Sequence, residues 1–321
     1  MTNIFRFHPY LQPTLWGGRQ IALLKGFKEV DDIGESWEIS GVEHHETVVD
    51  GGPYSGLPLN TLVAQLKEQL MGNANYQRFG NRFPLLIKFI DAQQDLSIQV
   101  HPDDETAHRH GKPMGKTEMW YVLPSAKGAR LYNGLNTVVS PEQLATMVEQ
   151  KTITRALAHY EVQEGDVFFI PPGRIHAIGA GCMIAEIQQT SDITYRIYDY
   201  DRRDNKGCPR ELHVEQAAAC IDYHVMTDYR THYTTQTNKP VPVVSCPHFH
   251  TSVLEVNGQA AMDYTNLDSF VILIGVRGQG TVTVDGQTAP IALGQTLLLP
   301  AISRQVTVSG HLRLLETYVK P

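Results

Sequence analysis

Cysteine is scarce in this chain: Cys182, Cys208, Cys220 and Cys246 are the only four in 321 residues. No two stand in CxxC spacing, which excludes a zinc finger or a dithiol redox motif. Long apolar runs are missing too. None approaches the ~18–20 residues that span a bilayer. The start, MTNIFRFHPYLQPTLWGG, lacks the basic and then apolar regions of a secretory signal. Basic charge is in deficit, with a net charge of -7, which argues against nucleic acid as a partner. These absences lead us to expect a cytoplasmic protein with reduced thiols and no membrane partner; its oligomeric state, a monomer or small homo-oligomer, does not follow from them.

What is present is ample apolar material, 42% of residues, broken into short segments. Gly and Pro turns at roughly 8–12 residue spacing predict β-sandwich or barrel architecture. Residues 1–54 read as short strands and loops, with Pro9, Pro13, Gly17-Gly18 and Gly51-Gly52-Pro53 as loop signals and Ser36 to Ser40 as a strand. Residues 60–71 predict a helix with Asn60 as N-cap. Residues 84–90 predict a strand. Residues 140–150 predict a helix with Ser140 as N-cap, Pro141 first and Gln143 completing a capping box. Further helices are expected within 151–159 and 209–222. The polar stretch 225–242 reads as a linker, followed by strands to the end.

Chemistry concentrates in LSIQVHPDDETAHRHGKPMGKTEMWYVL, residues 96–123, and in DVFFIPPGRIH, which ends at His176. Gln99 and His101 are two apart in an alternating segment, so they share a strand face. Glu118 opens a second strand and His176 follows a third. Two imidazoles and one carboxylate with a position left open suit catalytic zinc, although the same set also describes a ferrous facial triad. Other histidines read as ordinary: Cys246-Pro-His248-Phe-His250 as a strand, and His108-Arg109-His110 as a polar loop. Arg277 to Gly280 reads as a hairpin turn, and Trp16 and Trp37 as packing residues.

The chain also echoes itself. EGDVFFIPPGRIHAIG (164–179) parallels LGQTLLLPAISRQVTV (293–308), with Gly165 to Pro171 spaced as Gly294 to Pro300. His176 then falls opposite Gln305. A diverged duplicate that keeps its frame and lacks the ligand accounts for this.

LSIQVHPDD, GKTEMWYVL, GDVFFIPPGRIHAIG and EIQQTSDITYRIYDYDR resemble, in order and spacing, the type I mannose-6-phosphate (phosphomannose) isomerases, the shorter bacterial form above all. WGG at 16–18, GESWEIS at 34–40 and FPLLIKF at 83–89 fit the same family, and the match runs from about 13 to 215. The resemblance implies a mainly β fold of two cupin-type jelly-roll barrels with a few accessory helices. It implies residues 1–230 as a zinc-binding catalytic cupin domain with helical insertions, and 231–321 as a degenerate cupin-like β domain. It implies one Zn2+ per chain, held by His101, Glu118 and His176, with Gln99 a fourth ligand in the longer members. The reaction implied is interconversion of D-mannose 6-phosphate and D-fructose 6-phosphate. Arg196 matches the catalytic arginine, Lys116, Glu186 and Asp192 match pocket positions, and Ser97 and Lys88 match positions suited to the 6-phosphate. The chain departs from the longer members in having only 57 residues between Glu118 and His176, and in the loop Ile197 to Arg202 after the arginine.

An aldose–ketose isomerase moves a proton between C1 and C2 through an enediol, so it needs a proton carrier and positive charge for the enediolate oxygens. The guanidinium of Arg196 suits the second task. Glu186, Lys116 and His101 are all candidates for the first. Two other functions are compatible with the residues: an iron oxygenase of the cupin class, and a sugar-phosphate-binding cupin without turnover.

Overall fold

A computed structural model of the chain describes residues 4–27, 30–204 and 206–321. The architecture is mainly β, with short helices between strands. Among the described residues, no helix is long and apolar enough to cross a membrane. The four cysteines are free thiols.

Two compact units form, and they interleave along the chain. One comprises residues 11–35 and 89–230, the other 1–10, 36–88 and 231–321. The expected single boundary near 230 therefore describes only one of the crossings. The reason lies in the helical segment before residue 88. Phe83 packs on Phe270 with ring centroids 4.6 Å apart, and the Asp268 carboxylate accepts from the Asn73 and Ala74 N–H groups at 2.8 and 3.0 Å. Residues 36–88 are thereby built into the unit that holds the C-terminal strands.

In the 11–35/89–230 unit, a five-stranded sheet runs in the order Tyr195–Tyr198, Ile98–Val100, His176–Ile178, Arg130–Leu135, Leu157–Glu161. A seven-stranded sheet has Val167–Ile170, Glu118–Val122 and Met183–Gln189 as consecutive strands. Alternation along the strands sorts two cores. Ile98, Val100, Ala177, Tyr195 and Ile197 pack with Leu144 and Val148 of the helix Pro141–Glu149 and Ala217 of the helix Val214–Cys220. The other core gathers Trp120, Val122, Phe168, Ile184, Leu131 and Ile178 from both sheets. The predicted capping box at Ser140 forms, the Ser140 hydroxyl accepting from Gln143 N–H and the Gln143 side chain from Ser140 N–H.

The other unit carries a six-stranded sheet built on three 14-residue strands, His250–Asp263, Val271–Val284 and Gln305–Tyr318. Val271 and Leu273 share one core with Val282 and Val284. Odd and even positions can do so because a bulge between Gly275 and Arg277 shifts the register, and each one-residue shift exchanges the two faces. Arg277 to Gly280 is thus a bend inside a strand, not the hairpin turn expected. Gly278 has φ +67, and a Cβ on Gly280 would sit 2.2 Å from the Ser309 carbonyl.

Several local expectations change. The 60–71 helix divides into Leu59–Leu66 and Glu68–Met71, because Lys67 takes φ 49. Pro58 occupies the N-cap position. Asn60 instead ties loops together, donating to Gly41 O and accepting from Phe83 N–H, both at 2.9 Å. Pro13 and Gly17-Gly18 lie within the strand Tyr10–Gly18. The helix expected in 151–159 is a single 3-10 turn, Ile153–Ala156, running into the strand Leu157–Glu161. The His108-Arg109-His110 loop is the end of a helix, Asp104–Arg109, capped by Asp103 accepting from Thr106 N–H at 2.8 Å.

Candidate metal centre and active site

Three strands deliver the expected ligand set. His101 follows the strand Ile98–Val100, Glu118 opens its own strand, and His176 opens a third. One ligand atom from each lies within 4.8 Å of the others. All three side chains are buried, with relative exposures of 1%, 0% and 0%. The His101 and His176 Nε2 atoms stand 3.5 and 3.4 Å from the two Glu118 oxygens.

The imidazole orientation is decided by the other ring nitrogen. His101 Nδ1 meets the Ile193 carbonyl at 2.9 Å, and His176 Nδ1 meets the Arg174 carbonyl at 2.8 Å. A carbonyl only accepts, so Nδ1 of each ring carries the proton and Nε2 presents its lone pair. Burial pushes the His176 pKa down to about 3, which keeps the ring neutral. The Glu118 carboxylate is met by the Lys116 ammonium at one oxygen, and both of its oxygens face imidazole lone pairs. Lone pairs opposed in a buried site are costly as they stand. The donor set fits a divalent cation.

Cross-strand register arranges the rest. Arg196 lies opposite Gln99, Gln99 opposite His176, and His176 opposite Asn133, so these four share one row and one face. Gln99 Nε2 stands 3.3 Å from His176 Nε2, and Ser97 Oγ donates to Gln99 Oε1 at 3.4 Å. On the other sheet Gln188 lies opposite Glu118 and Glu186 opposite Trp120. Lys116 Nζ stands 3.0 Å from Glu118. Burial works against its charge, but the Glu118 and Glu186 carboxylates outweigh burial and hold its pKa above the ordinary lysine value.

Arg196 donates from Nη1 to the Glu211 carbonyl at 3.0 Å. Burial lowers its pKa, aided by Arg210. A surface pairing with Asp199 or Asp201 is not what it adopts. Asp199 accepts two bonds from Arg210 at 2.7 and 2.6 Å, and Asp201 is bonded by Lys151. Asp192 is mostly exposed and pairs with Lys112 at 3.9 Å. It lines a cavity of about 410 Å³ with His110, Tyr195 and His213. Lys88 belongs to the other compact unit, its ammonium 4.7 Å from the centroid of the Trp37 ring. Of the histidine pair expected on one strand, His250 opens a strand, whereas His248 lies in the bend between Ser245 and His250.

Residues that the sequence reading passed over also build this centre. Trp120 donates its indole N–H to Glu186 at 2.9 Å and meets the His176 ring edge-on at 5.3 Å. It is two residues from Glu118, so strand parity alone would have placed it. Gln188, two from Glu186, was legible in the same way. The Ile193 and Arg174 carbonyls and Asn133 carry no such signal.

Comparison with known proteins agrees with this geometry. A model of the type I phosphomannose isomerase catalytic domain matches residues 4–137, and a mannose-6-phosphate isomerase cupin-domain model matches 241–319. The mannose-6-phosphate isomerase ManA of Bacillus subtilis is 32% identical over 317 residues, covering 98% of both chains. The chain belongs to the type I phosphomannose isomerase family. A mannose-6-phosphate isomerase of Streptococcus mutans is 34% identical over 95% of this chain and 94% of its own. The crystal structure of the Bacillus subtilis mannose 6-phosphate isomerase superposes with a TM-score of 0.88 at 31% identity, covering 98% of this chain and 99% of that one. Phosphomannose isomerase variants from Salmonella typhimurium share the fold, with a TM-score of 0.83 at 16% identity.

Proposed function

We propose that the chain is a zinc-dependent aldose–ketose isomerase that interconverts D-mannose 6-phosphate and D-fructose 6-phosphate through an enediolate. The observation that carries this reading is the buried set His101, Glu118 and His176, whose two Nε2 lone pairs converge on one carboxylate inside a member of this family. These three would hold the ion. Gln99 would join them by presenting Oε1, a turn of its amide that exchanges two atoms of similar size. Bound zinc would supply a Lewis acid for the sugar oxygens.

The protein's own residues supply the rest. Arg196 brings permanent positive charge to the His176 face and stabilises the developing enediolate oxygen. Lys116 and Glu186 are the groups available to move the proton between C1 and C2, since His101 engages Nδ1–H with the Ile193 carbonyl and Nε2 with the ion. Trp120 fixes Glu186 by its indole N–H. Ser97 is assigned to the 6-phosphate, and Asp192 to the substrate's approach. We further read each unit as a cupin-type jelly roll, the second without a metal.

A coupled assay on purified protein tests the proposal. Chelation is expected to abolish interconversion and zinc to restore it. Full activity in metal-free protein would refute it. Iron in protein purified without added ions, with oxygen uptake, would point to the oxygenase. Tight sugar-phosphate binding without turnover would point to a sensor.

A further inference from the structure

The two imidazoles are oriented by unlike means. His176 donates to the carbonyl of Arg174, two residues earlier in the same segment. His101 donates to the carbonyl of Ile193, 92 residues away. The direction of the His101 lone pair therefore depends on where the 189–193 turn sits.

That turn is held by Gln188. The side chain is completely buried and lies directly opposite Glu118. Its Nε2 donates to Gln189 O at 2.8 Å and to Ser191 O at 2.7 Å. Two carbonyls on one end of the amide fix which atom is nitrogen. Ser191 continues the chain of contacts. Its N–H donates to Gln189 O at 2.7 Å, and its hydroxyl donates to Met114 O at 3.1 Å and accepts from Ile193 N–H at 3.4 Å. Gln188 Oε1 has no hydrogen bond although it is buried. Leaving a buried acceptor unsatisfied is unfavourable, so the position is poorly explained by stability alone.

We propose that Gln188 is a positioning residue for the metal centre: it pins the Gln189–Ser191 turn so that the Ile193 carbonyl holds His101 with Nε2 facing Glu118. This rests on the assignment of His101, Glu118 and His176 as metal ligands. Partners that orient ligand imidazoles typically change metal affinity about 10–100-fold when lost.

Gln188→Met keeps the length of the side chain and removes both donors. Ser191→Ala is a milder cut in the same chain of contacts. The affinity of metal-free protein for Zn2+, measured by competition with a chromogenic chelator, is expected to fall about ten-fold or more in Gln188→Met and less in Ser191→Ala. In nitrogen-15 spectra of the metal-free protein, the His101 Nδ1–H is expected to exchange faster with solvent in both variants, while that of His176 is unchanged. A merely structural role would lower the melting temperature without this selectivity. Metal affinity within two-fold of wild type and unaltered His101 exchange in both variants would overturn the inference. If Gln188→Met does not fold, Ser191→Ala alone decides by the same two measurements. Failure of the wild-type protein to bind Zn2+ would instead strike the ligand assignment.

Discussion

The segments 164–179 and 293–308 have the same frame and different contents. Each begins at a glycine with positive φ, Gly165 at 95 and Gly294 at 78. Each continues into a four-residue strand, Val167–Ile170 and Thr296–Leu299. Each turns at a proline and enters the next strand five residues later, at His176 and at Gln305. There the likeness ends. His176 is buried, whereas Gln305 is exposed and the first buried positions after it are Val306 and Val308. The second segment has not simply exchanged a ligand within a preserved pocket. Its strand presents the other face.

The turn supplies the physical reason. Gly173, two residues after Pro171, has φ +80, a conformation that glycine adopts freely. The matching position after Pro300 is Ile302, which is not among the residues with positive φ and, being β-branched, would resist it. Five residues are thus threaded through two different turns, and a change of face follows.

The most damaging way to test the comparison is to give the first segment the second one's residue. His176→Gln is expected to lower zinc affinity and to reduce turnover by at least a thousand-fold, with the fold retained in circular dichroism. Removing one imidazole leaves His101 and Glu118 with only the weaker amide oxygen of Gln99 beside them, a poorer set than catalytic zinc takes. Near-normal metal content by elemental analysis would break the assignment.

Arg196 offers the next largest effect, since nothing in the second segment corresponds to the row Arg196–Gln99–His176. Arg196→Ala is expected to keep the metal and lose about 10²–10³ in kcat, the cost of removing one charge-stabilising donor. A variant within a few-fold of wild type would remove arginine from the mechanism.

The interiors of the two units differ in acid–base character as well. In the C-terminal unit Glu316 is buried with the Tyr264 hydroxyl donating to it. Its strand also carries Tyr318, which pairs with His250. Burial raises the Glu316 pKa, and the Tyr264 bond only partly offsets it. The neutral acid is therefore favoured in the folded state. Below about pH 4 the group is protonated in both states and costs nothing. As pH rises the unfolded chain ionises first, so folding stability falls until the folded carboxyl also ionises. Glu316→Gln is expected to melt above wild type at pH 7 and to lose that advantage as pH approaches 4. A melting difference that stays constant over this range would contradict the burial argument.

Much of this was legible in the residues because strand parity and ligand chemistry are local rules. Gln99 and His101 as a strand pair, the capping box at Ser140 and the Gly–strand–Pro frames all follow from nearest neighbours. What escaped the sequence depends on distant partners. The 36–88 segment joins the C-terminal strands through Phe83 and Phe270, a pairing that no local pattern encodes. Lys88 reads as a cation in an apolar strand, and only the fold puts it over Trp37. The break at Lys67 gives no local signal either. The Asp104–Arg109 helix, by contrast, was readable from Asp103 at its N-cap and acids in its first turn.

The reciprocal exchange, Gln305→His, carries the smallest expected effect and makes the sharpest use of the comparison. If a ligand is defined by its place in the frame, this substitution would restore half of a metal site in the second unit. If it is defined by the face the strand presents, nothing is gained. Gln305 lies opposite Asp263 in register and is exposed, so the new imidazole would stand in water beside a single carboxylate. Its interaction there would be weak, since solvent screens an exposed pair. Calorimetric titration of Zn2+ into the variant is expected to give the wild-type stoichiometry of one ion per chain. A second ion bound at micromolar concentration would show that the two turns are interchangeable and that face does not decide the ligand.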